Sequence, residues 1–202
     1  MNRIRILPDQ VANQIAAGEV IERPASVLKE FVENAIDARA TRIRVEIRGG
    51  GKSLIRVSDN GHGMGRDDAL LCIERHATSK IRDSADIGAI HTLGFRGEAI
   101  PSIASVCRFR LVTREEGAAS GVELDLHGGK LLSVKEAGCA VGTQVESRNL
   151  FYNLPARRKF LRSDATELGH IHHVFLLHAL AQPSIAWTLQ LEDRTVHDLA
   201  PA

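Results

Sequence analysis

The stretch Ala25–Ala38, ASVLKEFVENAIDA, sets the strongest limit on what this chain can fold into. Pro24 stands before it, where the ring's fixed φ suits the first turn of a helix. At about 100° per residue, Val27, Leu28, Phe31, Val32, Ala35 and Ile36 gather on one broad apolar arc. A helix of this pattern has to bury that arc against other elements. Glu30, Glu33, Asn34 and Asp37 gather on the other side, with Lys29 as the only lysine in the stretch. Carboxylates crowded on one face repel each other. Two readings stand at this point. The face is a solvated acidic surface, or it looks into a site holding a divalent cation and a polyphosphate. Hard oxygen ligands suit magnesium, a neutral Asn adds an oxygen without charge, and a neighbouring Glu can deprotonate a water.

Alternation governs most of the remainder. Ile43, Val45 and Ile47 alternate with Arg42, Arg44, Glu46 and Arg48, the period-two pattern of a strand. Gly49–Gly51 predicts a hairpin turn, and Ser53–Asp59 the return strand. GGGKS (Gly49–Ser53) resembles part of a P-loop, but the first glycine of that motif would fall on Glu46. Further strands are predicted at 108–114, 122–127, 130–135, 143–147, 185–191 and 195–199. Helices are predicted at 66–75, 83–93 and 164–181, with a short one after Asp9 in an N-terminal arm.

Several residues invite chemistry. Asp59 shares a strand face with Ile55 and Val57, and an inward carboxylate needs a hydrogen-bonding partner or a metal. It runs into DNGHGM (Asp59–Met64), whose glycines favour a turn and let a ring approach the backbone. It is either a turn cap or the floor of a pocket that accepts a hydrogen bond from an exocyclic amine. Thr78, Ser79 and Lys80 offer two hydroxyls and an ammonium in a row, the groups a phosphate-facing loop would use, a weak signal taken alone. GFRGEA (Gly94–Ala99) precedes an apolar helical run, either an ordinary glycine-rich helix entry or an arrangement that leaves N–H groups for an anion. Thr143 opens a strand after Gly142 and can present a hydroxyl. Arg157, Arg158, Lys159 and Arg162 are the densest basic cluster, either a solvated helix start or a phosphate-backbone contact. His170, His172 and His173 lack the carboxylate or Cys that would complete a metal site.

Composition excludes several classes. The 202 residues fit one large domain or two small ones, and 44% hydrophobic with 25% charged residues describes a soluble globular chain. A net charge of +1 gives no global pull toward nucleic acid or membrane. Three cysteines without a CxxC pair indicate neither a disulfide framework nor a zinc site. No signal peptide and no run of 18 apolar residues occurs, so the expected location is cytoplasmic, with nucleoid association.

ENAIDA on a helix, DNGHGM after a strand and GFRGEA before a helix together resemble the three signatures of the GHKL ATPases. Within that superfamily the chain resembles the MutL mismatch-repair family through Leu7–Ala38, Arg75–Ile81, Leu93–Ala99 and Phe151–Leu161. Arg39 stands where that family usually has Gly, and Leu154 where Thr is usual. The resemblance implies an α+β fold of the GHKL (Bergerat) type: a two-layer α/β sandwich, helices on one face of a mixed, mostly antiparallel sheet. It implies an ATPase domain with its arm over 1–183, and over 184–202 the start of a truncated transducer domain, whose lysine reaches the γ-phosphate. Glu30 would be the general base and Asn34 the ligand of Mg2+. Asp59 would read the adenine amino group, with Gly63 and Thr143 close by. Thr78, Ser79, Lys80 and Gly94, Phe95, Arg96, Gly97, Glu98, Ala99 and Ile100 would lie over the phosphates of ATP. The implied activity is slow ATP hydrolysis in a clamp that dimerises on ATP and acts on DNA. The implied partners are a MutS-type mismatch-recognition protein, a downstream nuclease and a helicase. A nucleotide-gated scaffold without hydrolysis is the alternative, and Glu30 argues against it, because a pure binder needs no base. Alone, the chain is expected to be largely monomeric, with weak turnover.

Overall fold

The computed structural model describes residues 21–75, 77 and 97–202. Among these residues eight strands form one sheet: β1 (Arg42–Arg48), β2 (Leu54–Asp59), β3 (Arg108–Arg114), β4 (Gly121–His127), β5 (Lys130–Ala137), β6 (Gly142–Arg148), β7 (Ala186–Leu191) and β8 (Arg194–Leu199). Their spatial order is β5-β4-β3-β6-β2-β1-β7-β8. Among the described strands only the β1–β7 pairing is parallel, so the sheet is mixed and mostly antiparallel. The stretch 184–202, expected to open a second domain, supplies the last two strands of this same sheet.

Among the described residues five α-helices accompany the sheet: α1 (Pro24–Asp37), α2 (Arg66–Leu71), α3 (Ala99–Ser105), α4 (Pro155–Phe160) and α5 (Asp164–Ala181). α2 is shorter than the predicted 66–75. The helices predicted after Asp9 and at 83–93 lie outside the described residues. α1 packs on α5 and β2 and touches α3 and β6. Its apolar arc is buried as the spacing requires, with Val27, Leu28 and Val32 fully enclosed. The turn at Gly49–Gly51 joins two antiparallel strands, so GGGKS is a hairpin and not a P-loop.

The two faces of the sheet differ in kind. Directly paired residues share a face, and the registers produce continuous ranks. One rank is Leu189–Val45–Val57–Val145–Leu111–Leu124, and the next is Leu191–Ile47–Ile55–Ser147–Phe109–Leu126. These ranks form the core under the helices. The opposite face alternates in charge through Glu46–Arg56–Glu146–Arg110–Asp125. There Glu146 is fully buried, held by Arg56 at 2.9 Å, Arg110 at 3.2 Å and Arg148 at 2.6 Å. A buried carboxylate requires such partners.

Both departures from the family pattern sit at helix ends. Arg39 follows the last turn of α1 with φ +60°, in the left-handed region. Its N–H bonds Ile36 O at 2.9 Å, and the N–H of Ala40 bonds Ala35 O at 3.1 Å. This paired closure favours Gly at the position of Arg39. Leu154 precedes α4 as its N-cap and makes no side-chain cap bond, where a Thr hydroxyl could cap.

Candidate active site

A third inward rank differs from the two apolar ones. It runs Trp187–Ile43–Asp59–Thr143–Thr113–Val122, with three polar side chains in succession at one end of the sheet. Asp59 ends β2, and its Oδ1 accepts the N–H of Gly61 at 2.8 Å. Burial pushes its carboxyl up from 3.8 to about 6, although the backbone N–H groups of Gly61 and Thr143, and His62, pull the other way. A carboxylate held this way favours a ligand that donates a hydrogen bond.

The turn after Asp59 is fixed from three sides. Asn60 Oδ1 accepts the N–H groups of Thr41 at 2.9 Å and Arg42 at 2.8 Å. The N–H of His62 donates to Ala38 O at 3.0 Å, joining the turn to the end of α1. The N–H of Met64 donates to Thr113 Oγ1 at 2.9 Å. Gly63 has φ +67°, and a side chain there would overlap the carbonyl of Arg114. The glycine is therefore required by both conformation and space.

The acidic face of α1 divides in two. Glu30, Asn34 and Asp37 remain half-buried along one line of the helix. Glu33 turns away and is buried against α5, 3.1 Å from Lys29 Nζ and 3.6 Å from His178 Nε2. Its place in the predicted face is corrected: 60° of helix rotation from Glu30 is enough to point it at a neighbouring helix. Lys29 also lies 3.7 Å from Glu30. Burial lowers the Lys29 pKa, but the two carboxylates outweigh it and hold it above its ordinary value.

Of the loop residues, Gly97, Glu98, Ala99 and Ile100 are described, and the last two open α3. Gly97 has φ +63°, and a side chain there would overlap the carbonyl of Ala77, so the GFRGEA and RHATSKI segments meet at this glycine. Thr78, Ser79, Lys80, Gly94, Phe95 and Arg96 lie outside the described residues. The basic cluster is not a uniform patch, because Arg157 donates to Ile21 O at 2.7 Å and lies over the Phe151 ring. His172 pairs with His197, Nε2 to Nε2 at 2.6 Å, and among the described residues no group of three metal-ligating side chains occurs. Sequence reasoning missed Thr113, although its parity with Phe109 and Leu111 marks a hydroxyl on an apolar strand face.

A sheet with an apolar core face, a half-buried strand-end carboxylate, a glycine turn against a helix and an acidic helix line defines a class of nucleotide hydrolases. The chain belongs to the histidine kinase-, DNA gyrase B- and HSP90-like ATPase family, whose model it matches over residues 21–137, more than half its length. Within that class its likeness is to the DNA mismatch repair protein MutL. It is 61% identical to that of Acidobacterium capsulatum over 183 residues, 91% of this chain and 28% of that protein. It is 60% identical to that of Opitutus terrae over 196 residues, 97% of this chain and 31% of that protein. The solved structure described as Aquifex aeolicus MutL ATPase domain complexed with ADP is 37% identical with a TM-score of 0.77, covering 91% of this chain and 65% of that one. The chain thus spans less than a third of the length of these two curated relatives.

Proposed function

We propose that this chain binds ATP with Mg2+ and hydrolyses it slowly, as the ATPase domain of a MutL-type mismatch repair protein. The observation that carries the reading is Asp59: a half-buried carboxylate with raised pKa, in a polar rank, beside a turn whose glycines let it pack tightly against the end of α1 and the end of β3. Asp59 accepts a hydrogen bond from the adenine amino group, with Gly63 and Thr143 beside it. The half-buried line of Glu30 and Asn34 fits a magnesium–polyphosphate group, because its oxygens are hard donors and few protein ligands are needed. Magnesium, when bound, supplies charge neutralisation of the phosphates. Asn34 would hold it, and Glu30 would accept the proton of the attacking water. Gly97, Glu98, Ala99 and Ile100, with Thr78, Ser79, Lys80, Gly94, Phe95 and Arg96, would lie over the phosphates.

The larger role rests on the whole protein. There an ATP-gated dimer acting on DNA would connect a MutS-type mismatch sensor to a nuclease and a helicase, in the cytoplasm at the nucleoid. Among the described residues no helix is long and apolar enough to cross a membrane. Calorimetric titration of this chain with ATP, ITP and GTP, with magnesium present, tests the reading. ATP should bind more tightly than both 6-oxo nucleotides, and equal affinity for all three would overturn it.

A further inference from the structure

Thr113 is fully buried, yet its hydroxyl has three polar neighbours. Met64 N lies at 2.9 Å, Gly142 O at 3.0 Å and Thr143 Oγ1 at 3.0 Å. Three contacts need three protons, one in each, because two oxygens at 3.0 Å with no proton between them repel. The available protons are the Met64 N–H, the Thr113 O–H and the Thr143 O–H. The first can only donate to Thr113. A carbonyl oxygen only accepts, so the Thr113 proton goes to Gly142. The third contact is then made only by Thr143 donating to Thr113. The Thr143 proton is thereby directed along the sheet, away from any ligand, and its lone pairs are left for the site.

Thr143 is paired directly with Asp59 across β2 and β6. The two side chains share a face, so the floor at this rank offers two hydrogen-bond acceptors and no hydroxyl donor. An amino group, or a water donating to both acceptors and accepting from that amino group, satisfies it. A carbonyl at the same ring position brings a third acceptor and leaves a contact without a proton. An unmatched buried polar group is costly, and this is the kind of mismatch that discriminates strongly.

We propose that Thr113 is a positioning residue that fixes the Thr143 hydroxyl as an acceptor, so that the site selects a purine with a 6-amino group over one with a 6-oxo group. The inference rests on the adenine-site reading above and assigns part of its selectivity to a residue outside the site.

The test compares ATP and ITP affinities by titration for wild type, Thr113→Val and Thr113→Ser, with thermal melting on each. Thr113→Val keeps the shape, removes the oxygen and frees the Thr143 proton to turn toward the base. The ATP-over-ITP preference should fall about tenfold in Thr113→Val and be kept in Thr113→Ser. A Thr113→Val protein that loses affinity for both nucleotides by the same factor, or keeps the wild-type preference, overturns the proposal. If Thr113→Val does not fold, Thr113→Cys, a weak donor and acceptor of similar size, takes its place with the same two outcomes. A wild type without preference for ATP sinks the adenine-site reading itself, and this inference with it. A wild type that prefers ATP beside a variant that does so equally sinks only the role of Thr113.

Discussion

The carbonyl oxygen of Ala38, at the end of α1, accepts the N–H of His62 at 3.0 Å. This bond fastens the turn after Asp59 to the helix that carries Glu30 and Asn34. Two segments separated by the whole β1–β2 hairpin become one wall. Gly61 is small because a side chain there would press on the same carbonyl of Ala38, at 2.6 Å.

Asp59 ionises near 3.8 in its ordinary state and near 6 in the folded chain. Below 3.8 both folded and unfolded states hold the proton, and the residue costs nothing. Between these values only the folded state keeps it, so stability falls as pH rises. Above 6 the full cost applies, on the order of 3 kcal/mol. Asp59→Asn should therefore melt higher than wild type at about pH 8, with the advantage shrinking toward about pH 4. ATP affinity should run the other way in wild type, weakening as the carboxylate protonates. Melting curves that differ by a constant amount over this range would exclude the raised ionisation of Asp59.

Glu30→Ala should retain nucleotide binding and lose turnover by about 10²–10⁴-fold, the usual loss for a general base. Titration beside a steady-state phosphate-release assay separates the two quantities. Normal turnover in the variant would remove Glu30 from the chemistry.

Asn34→Ala should weaken ATP binding in the presence of magnesium and leave metal-free binding nearly unchanged. The motive is a neutral oxygen donor on the same helical line as Glu30. Equal losses with magnesium and with chelator would assign Asn34 a structural role.

Arg39→Gly should stabilise the chain. Arg39 is exposed and held at φ +60°, a conformation that costs a side-chain-bearing residue about 1–2 kcal/mol and glycine little. Glycine's greater freedom in the unfolded chain offsets part of this, leaving a gain of about 1 kcal/mol, or about 2–4 °C in melting temperature. An unchanged or lower melting temperature would mean that the Arg39 side chain contributes contacts that outweigh the strain.

Local pattern carried far in this chain. The alternation in RIRVEIR marked β1, the apolar arc of ASVLKEFVENAIDA marked α1, and the three glycines after Arg48 marked a turn, because each property is set within a few residues. Parity alone put Asp59 on the inward face with Ile55 and Val57. The company Asp59 keeps was another matter. Asp59, Thr143 and Thr113 stand side by side only because β6 inserts between β2 and β3, an order no local pattern encodes. The turn of Glu33 toward His178 likewise depends on where α5 packs, and the left-handed Arg39 on how α1 must close before β1 begins. Periodicity determines which face a residue occupies. Strand order, register and helix packing determine what it faces, since those are settled by contacts between segments far apart in the chain.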